Sequence, residues 1–209
     1  MSDFVLPLAG EELVLLPERA IYWSSRQTLI LSDLHLGKAG HFRKHGIPIS
    51  RKIHLTDIHI LERLIKENRP EKVILLGDLF HSFENNEWKD FLTFLKVYNY
   101  IEFILVEGNH DILSEYPEEL SLVSLLDIPP FSFTHIREES QLFNISGHIH
   151  PGVSIRGKGR QSITVPCFYF GSNHGLLPAF GQFTGIKKIQ PKSNDRVFGI
   201  ADRTIIELT

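Results

Sequence analysis

The chain has 209 residues, of which 42% are hydrophobic and 22% are charged, and its formal net charge is −3. This is the composition of a globular domain with a sizeable core, which excludes a disordered chain. The charge also argues against wholesale neutralisation of nucleic-acid phosphates. A single cysteine, Cys167, excludes an intrachain disulfide and a cysteine-rich zinc site. Because the sequence has no signal-like start and no apolar run long enough to span a membrane, we expect a cytoplasmic protein with no membrane contact.

The first half of the chain alternates short strands with amphipathic helices. Alternating apolar and polar residues in Glu12–Leu16 and Ala20–Trp23 predict a β-hairpin. Apolar residues at helical spacing predict helices over 51–68 and 86–98. Three further apolar runs end abruptly in polar residues, a pattern typical of strands buried on both faces. These runs are TLILSDLH (28–35), KVILLGDL (72–79) and EFILVEGNHD (102–111).

After residue 120 the sequence indicates strands without helices. Short strands are predicted at 121–126, 130–135, 142–146, 152–156, 161–170 and 195–208. The glycines of RGKGR (156–160) indicate a hairpin tip. Strand–helix alternation followed by strands alone predicts an α/β fold in which a second, mainly antiparallel sheet packs on the first, with helices outside. No repeat or linker marks a domain boundary.

Side chains that can bind metals follow five of the predicted strands. Asp33 and His35 are two residues apart, so on an extended strand end they would point the same way. Ligands gathered at the carboxyl ends of adjacent strands converge in the crevice where α/β proteins place their sites. The candidates are Asp33, His35, Asp78, Asn109, His135, His148 and His150.

The donor types of this set indicate a particular class of site. Carboxylate, amide and imidazole groups without thiolate suit manganese, iron or zinc. Seven candidates are too many for one tetrahedral ion and suit two ions, about 3.5–4 Å apart, that share a carboxylate. The alternative is a set of capping residues and satisfied core histidines. Five strand ends that all carry such groups favour the metal interpretation, because burying them unpaired would be costly.

The succession D-x-H, G-D, G-N-H-D, a single histidine and G-H-x-H resembles that of the calcineurin-like metallophosphoesterases. The resemblance implies one two-sheet αββα sandwich domain over residues 1–209, without a separate capping domain. It implies that Asp33, His35 and His150 hold a first metal and that Asp78 bridges. It further implies that Asn109, His135 and His148 hold a second metal. Manganese is favoured for both ions, with iron and zinc as alternatives.

Longer stretches carry a closer resemblance. LSDLHLGKAGHFRKHGIPIS, GDLFHS, NISGHIHPG and LPAFGQFTG are similar to segments of the bacterial ligase-associated DNA-damage-response endonucleases (PdeM), compact relatives of the SbcD-type nucleases. This likeness implies an endonuclease or phosphodiesterase that acts on DNA during repair. It also implies a functional link to a DNA ligase and a helicase.

Further residues are candidates for catalysis and substrate binding. We expect His110 to protonate the leaving oxygen and Asp111 to fix its tautomer and orientation. The resemblance adds His81 as a second candidate for placing the substrate or leaving group. Two basic clusters flank the predicted site and are expected to contact phosphates. Their candidate residues are Arg43, Lys44, Arg156 and Arg160.

Two other functions remain open from the sequence. The same site could hydrolyse a small phosphodiester or a pyrophosphate, such as a nucleotide or a lipid precursor. The chain could also be a non-catalytic scaffold with a degraded site. The complete ligand set and the His110–Asp111 pair argue against the scaffold.

Overall fold

The first sheet joins an antiparallel meander to a parallel α/β unit. The structure is a computed structural model that describes residues 3–37, 52–80, 86–111, 116–157 and 161–208. Within these residues the sheet has seven strands in sequence order, antiparallel from β1 to β4 and parallel from β4 to β7. The strands are β1 (Phe4–Leu8), β2 (Glu11–Leu16), β3 (Ala20–Trp23), β4 (Thr28–Leu31), β5 (Lys72–Leu76), β6 (Glu102–Val106) and β7 (Leu120–Val123).

Two α-helices connect the parallel strands. Helix α1 (Lys52–Asn68) lies between β4 and β5, and helix α2 (Asn86–Val97) lies between β5 and β6. Both predicted helices are therefore confirmed to within one residue at each end. Their apolar stripes, which include Leu61 and Phe91, pack on one face of the first sheet. Neither of these helices is both long and apolar enough to cross a membrane.

The second sheet is mixed. Its order in the described residues is β14-β11-β12-β13-β10-β9-β8, and β12 also pairs with β15, which pairs with β16. Three pairs are parallel, namely β9 with β10, β10 with β13 and β11 with β14. The strands are β8 (Leu126–Ile128), β9 (Phe131–Thr134), β10 (Phe143–Ser146), β11 (Pro151–Arg156), β12 (Ser162–Phe170), β13 (His174–Leu176), β14 (Lys187–Lys188), β15 (Arg196–Ala201) and β16 (Thr204–Glu207).

The strand predictions differ from the structure in three places. The predicted strand 121–126 is two strands, β7 in the first sheet and β8 in the second, so the chain crosses between the sheets there. The predicted strand 195–208 is a hairpin whose turn residues, Asp202 and Arg203, have left-handed φ angles of 48° and 58°. Three strands were not predicted. Strand β1 contains a proline, β13 is only three residues long, and β14 consists of two lysines. The hairpin of β11 and β12 is confirmed, although its residues 158–160 lie outside the description.

The two sheets pack face to face through a largely aromatic core. In β9, Phe131 and Phe133 face this core, and Trp23 from the first sheet meets the Phe131 ring edge-on at 5.0 Å. The alternate residues, Ser132 and Thr134, point to the opposite face. This alternation determines which face of β9 packs against the first sheet.

Candidate metal centre

The predicted metal ligands converge where the carboxyl ends of the two sheets meet. The loop after β4 continues the pairing of the first sheet, because the Asp33 and His35 amides donate to the carbonyls of Gly77 and Asp78 at 3.1 and 2.9 Å. The His148 amide, which follows β10 of the second sheet, donates to the Asp33 carboxylate at 3.0 Å. Loops from both sheets are therefore hydrogen-bonded to one another at the base of the site.

Asp33, His35 and His150 form a first group of side chains that could hold a metal ion. Nε2 of His150 lies 3.3 Å from Oδ1 of Asp33 and 3.4 Å from Nε2 of His35. The other ring nitrogen of His150, Nδ1, donates to the carbonyl of Gly185 at 3.2 Å. In the neutral ring, Nε2 therefore carries a lone pair directed at a carboxylate and a second imidazole, an arrangement that a cation would stabilise.

Asp78, His135 and His148 form a second group of the same kind. Nδ1 of His135 donates to the carbonyl of Leu76 at 2.9 Å, so Nε2 of the neutral ring again carries a lone pair. That atom lies 3.3 Å from Oδ1 of Asp78, 3.1 Å from Nδ1 of His148 and 3.0 Å from Oδ1 of Asn109. Crowding of acceptor atoms around one point fits a metal ligand set, and it brings Asn109 into this group.

The carboxylate of Asp78 lies between the two groups. Its Oδ1 is the atom that faces His135, and its Oδ2 lies 3.7 Å from Nε2 of His35. The side chain is almost fully buried, with 3% of its residue surface exposed. One oxygen is therefore directed at each group, which is the arrangement of a bridging carboxylate.

Five of these residues adopt left-handed backbone conformations. Their φ angles lie between 48° and 64°, and the residues are Asp33, His35, Asp78, His148 and His150. Such angles cost about 1–3 kcal/mol for a residue with a side chain and cluster at functional sites. The expectation of an extended strand end is therefore wrong for Asp33 and His35, which share the first group through successive left-handed turns. The same geometry directs His148 and His150 into different groups.

The glycines that precede the candidate ligands allow the loops at the base of the site to pack closely. A Cβ atom at Gly77 would lie 2.3 Å from His135, and one at Gly108 would lie 2.2 Å from the Asp78 amide. A Cβ atom at Gly147 would lie 2.5 Å from the Asp33 carboxylate. None of these distances is possible for a real side chain. The glycines of G-D, G-N-H-D and G-H-x-H are therefore required by the space around the ligands.

His110 and Asp111 lie beside the two groups in different environments. The His110 ring is exposed, and its centroid lies 5.8 Å from that of His35. The Asp111 carboxylate is buried and accepts hydrogen bonds from the Phe80 and Gly108 amides at 3.1 and 3.0 Å. Burial raises the pKa of Asp111 to about 6, although these hydrogen bonds lower it. Its described contacts link the loops that carry Asp78 and Asn109.

Of the remaining candidates, one is an exposed residue and the others lie outside the described residues. Arg156 is exposed at the end of β11, the strand that follows His150. His81, Arg43, Lys44 and Arg160 lie outside the described residues. Sequence reasoning missed the carbonyls of Leu76 and Gly185, because a backbone contact leaves no signal in the side-chain pattern. It also missed Lys187 and Lys188, which pair with the residues directly after His150.

Two neighbouring groups of carboxylate and imidazole side chains, each able to hold a metal ion, form the kind of site that two-metal hydrolases use. The chain belongs to the calcineurin-like phosphoesterase family, whose sequence profile matches residues 27–196. The predicted family is therefore confirmed.

Among solved structures, the nuclease MPE of Pseudomonas putida is 26% identical, with a TM-score of 0.84 over 99% of this chain and 100% of that chain. Yfce, a phosphoesterase from E. coli, is 11% identical, with a TM-score of 0.42 over 87% of this chain and 97% of that one. A predicted phosphoesterase from Streptococcus pneumoniae TIGR4 is 15% identical, with a TM-score of 0.34 over 87% and 88% of the two chains. No curated protein sequence matches the chain.

Proposed function

We propose that the protein is a two-metal phosphodiesterase that hydrolyses phosphodiester bonds in DNA. The observation that carries this proposal is the pair of ligand groups on either side of the Asp78 carboxylate. In this assignment Asp33, His35 and His150 would hold a first ion, and Asn109, His135 and His148 would hold a second. Asp78 would contribute a carboxylate oxygen to each.

The donor set fits divalent ions such as manganese, with iron and zinc as alternatives. Two such ions would supply an activated water and neutralise charge on the phosphoryl oxygens. Burial and the neighbouring His135 lower the pKa of His148, which keeps this ring neutral and able to bind a cation. The carbonyls of Leu76 and Gly185 accept hydrogen bonds from Nδ1 of His135 and His150, and each contact fixes the ring tautomer that presents Nε2 to a cation.

His110 is the proposed general acid. Its ring is exposed beside the first group, where the leaving oxygen of a bound substrate would be accessible to it. The amide of His110 donates to Oδ1 of Asp78 at 3.0 Å, so the loop that carries the ring is fixed to the bridging carboxylate. The roles of Asp111 in orienting this ring and of His81 in placing the substrate remain predictions.

A polymeric substrate is supported by the surroundings of the site. Asn109 and His110 are exposed, so the site opens to solvent. Exposed cations at Arg156, Lys187 and Lys188 lie on the two strands that follow or pair next to His150, where they could contact phosphates of a bound strand. Lysine on an edge strand also prevents aggregation, but its position beside a ligand favours phosphate contact. The full-length similarity to a nuclease supports the same substrate class.

The cellular role of such an enzyme is a separate part of the proposal. We propose that it acts in DNA repair in the cytoplasm, in functional association with a DNA ligase and a helicase. This part of the proposal rests on the resemblance to the ligase-associated endonucleases.

One experiment tests the substrate class. The manganese-loaded protein is assayed against single- and double-stranded oligonucleotides, small phosphodiesters, pyrophosphates and phosphate monoesters. We expect cleavage of oligonucleotides, and a lower rate and weaker salt dependence when Arg156, Lys187 and Lys188 are replaced together by glutamine. Activity confined to small phosphodiesters or pyrophosphates would establish the alternative, a small-molecule phosphodiesterase.

A second experiment tests the two-metal site. Asp78→Asn should lose both bound ions and turnover, because it weakens the carboxylate that both groups share. Asp127→Asn replaces an exposed aspartate of the second sheet and should retain both properties. An Asp78→Asn protein that keeps two ions and normal turnover would contradict the assignment.

A further inference from the structure

We propose that residues 177–186, here called the strap, are a positioning element that sets the metal affinity of the first group. The inference rests on the proposed two-metal function. The strap follows β13, passes the carboxyl ends of β10 and β4, and leads into β14. Its described contacts with proposed ligands are with two members of the first group, Asp33 and His150.

The strap is fixed to the backbone that carries Asp33. The amides of Phe180 and Gly181 donate to the carbonyls of Ser32 and Asp33 at 2.8 and 3.1 Å, so the strap continues the pairing of β4 beyond its last strand residue. A Cβ atom at Gly181 would lie 2.3 Å from the carbonyl oxygen of Leu34. A glycine is therefore required at this point, because only glycine lets the two backbones approach so closely.

The same segment orients His150 from the other side. The Gly185 carbonyl accepts the hydrogen bond from Nδ1 of His150, which leaves Nε2 for the metal. The amide of Lys187, directly after the strap, donates to the carbonyl of His150 at 3.0 Å. His150 has a left-handed φ of 51°, so its backbone needs such support to hold an unfavourable conformation.

Two charged residues outside the metal groups, the half-buried Arg19 and the buried Asp57, contact the strap. The guanidinium of Arg19, in the turn between β2 and β3, donates to the carbonyls of Ala179 and Gly181 at 3.2 and 3.5 Å. The amide of Gln182 donates to the carboxylate of Asp57 in α1 at 3.4 Å. Burial lowers the pKa of Arg19, and the nearby Asp57 opposes this effect. Neither charged residue belongs to the metal groups, so both act on them through the strap.

The second group has a separate support. His135 is oriented by Leu76 and Asn109, which lie outside the strap. Loss of a partner that orients a ligand lowers metal affinity by about 10–100-fold. A change in the strap should therefore weaken the first site by that factor and leave the second site unchanged.

Gly181→Ala is the direct test, measured by calorimetric titration of metal-free protein with Mn²⁺. The two sites are separated by backgrounds that each remove one group, His148→Ala to isolate the first site and His35→Ala to isolate the second. We expect Gly181→Ala to weaken Mn²⁺ binding about 10–100-fold in the first background and not in the second. Gly157→Ala is the matched control, because the nearest atom to its added Cβ is 3.9 Å away.

Arg19→Met and Arg19→Lys give a test that adds no atoms at the site. Arg19→Met should weaken the first site selectively, and Arg19→Lys should restore part of that loss because it keeps a cationic donor. Equal weakening of both sites, or unchanged binding in a folded Gly181→Ala protein, would overturn the role of the strap. A wild-type protein that binds fewer than two Mn²⁺ ions would instead refute the two-metal function on which the inference rests.

Discussion

Replacement of Gly77 by alanine should disrupt the second metal group, because the added methyl group would collide with His135. Gly77 has a left-handed φ of 73°, and its Cβ position lies 2.3 Å from Nδ1 and 2.4 Å from Cγ of His135. The imidazole would have to move by about 1 Å to reach an ordinary van der Waals separation. That movement breaks the 2.9 Å hydrogen bond from Nδ1 to the carbonyl of Leu76.

The structure gives the size of the effect in two parts. A left-handed conformation costs an alanine about 1–2 kcal/mol. The lost hydrogen bond of His135 adds about 0.5–1.5 kcal/mol. Gly77→Ala should therefore lower the free energy of unfolding by about 1.5–3.5 kcal/mol. Displacement of the ring should also reduce turnover by about 10²-fold, the scale of a 1 Å misplacement at an active site.

Gly10→Ala separates the two parts. Gly10 has a similar φ of 85°, but nothing lies within 4 Å of its Cβ position, so its replacement isolates the backbone cost. Urea unfolding of the metal-free variants and calorimetric Mn²⁺ titrations should show a larger loss of stability for Gly77→Ala. The titrations should also show a weakened second site in that variant alone. Equal stability losses in the two variants, with normal metal binding in both, would refute the reasoning.

Three further predictions concern residues away from the ligands. Burial raises the pKa of the Cys167 thiol to about 12, so thiol reagents should modify it only after unfolding, and labelling of the native protein would contradict this. Burial and a hydrogen bond to Asp195 raise the pKa of Tyr169 from 10.0 to about 12. The resulting stability is present below pH 10 and is lost as the pH rises through 12. Between these pH values, the free energy of unfolding should therefore fall less steeply in Tyr169→Phe than in the wild-type protein. Phe133→Ala, in the inter-sheet core, should cost about 3–5 kcal/mol in urea unfolding, whereas Tyr100→Ala, at a site 72% exposed, should cost under about 0.5 kcal/mol.

The sequence was most informative where burial and chemistry coincide. The runs that became β4, β5 and β6 are apolar throughout because helices cover one face and the second sheet covers the other. Each run ends in ligand side chains, and parallel pairing then brings those ends together without further information. The convergence of all seven ligand candidates could therefore be predicted from residue pattern, whereas the family came from a resemblance of their motifs.

The distribution of ligands between the two groups depends on backbone geometry that no periodicity reports. His148 and His150 are two residues apart, which on a strand would give both the same direction. Their left-handed φ angles of 64° and 51° instead direct one ring to each group. The strap was equally hidden, because its carbonyl and amide contacts use atoms that every residue has. Residues 177–185 (LPAFGQFTG) carried a family resemblance in the sequence, but that resemblance did not indicate their contacts with Asp33 and His150.

Each metal group takes ligands from both sheets, which links the site to the stability of the whole sandwich. The first group joins Asp33 and His35, which follow β4, to His150 beyond β10, and the second joins Asp78 to His135 and His148. Each group is therefore complete only when the two sheets are packed together. An ion bound by either group would connect the two sheets, and its binding free energy would oppose their separation. The left-handed ligand backbones and crowded lone pairs oppose folding in the metal-free protein, and metal binding offsets this cost where the sheets meet.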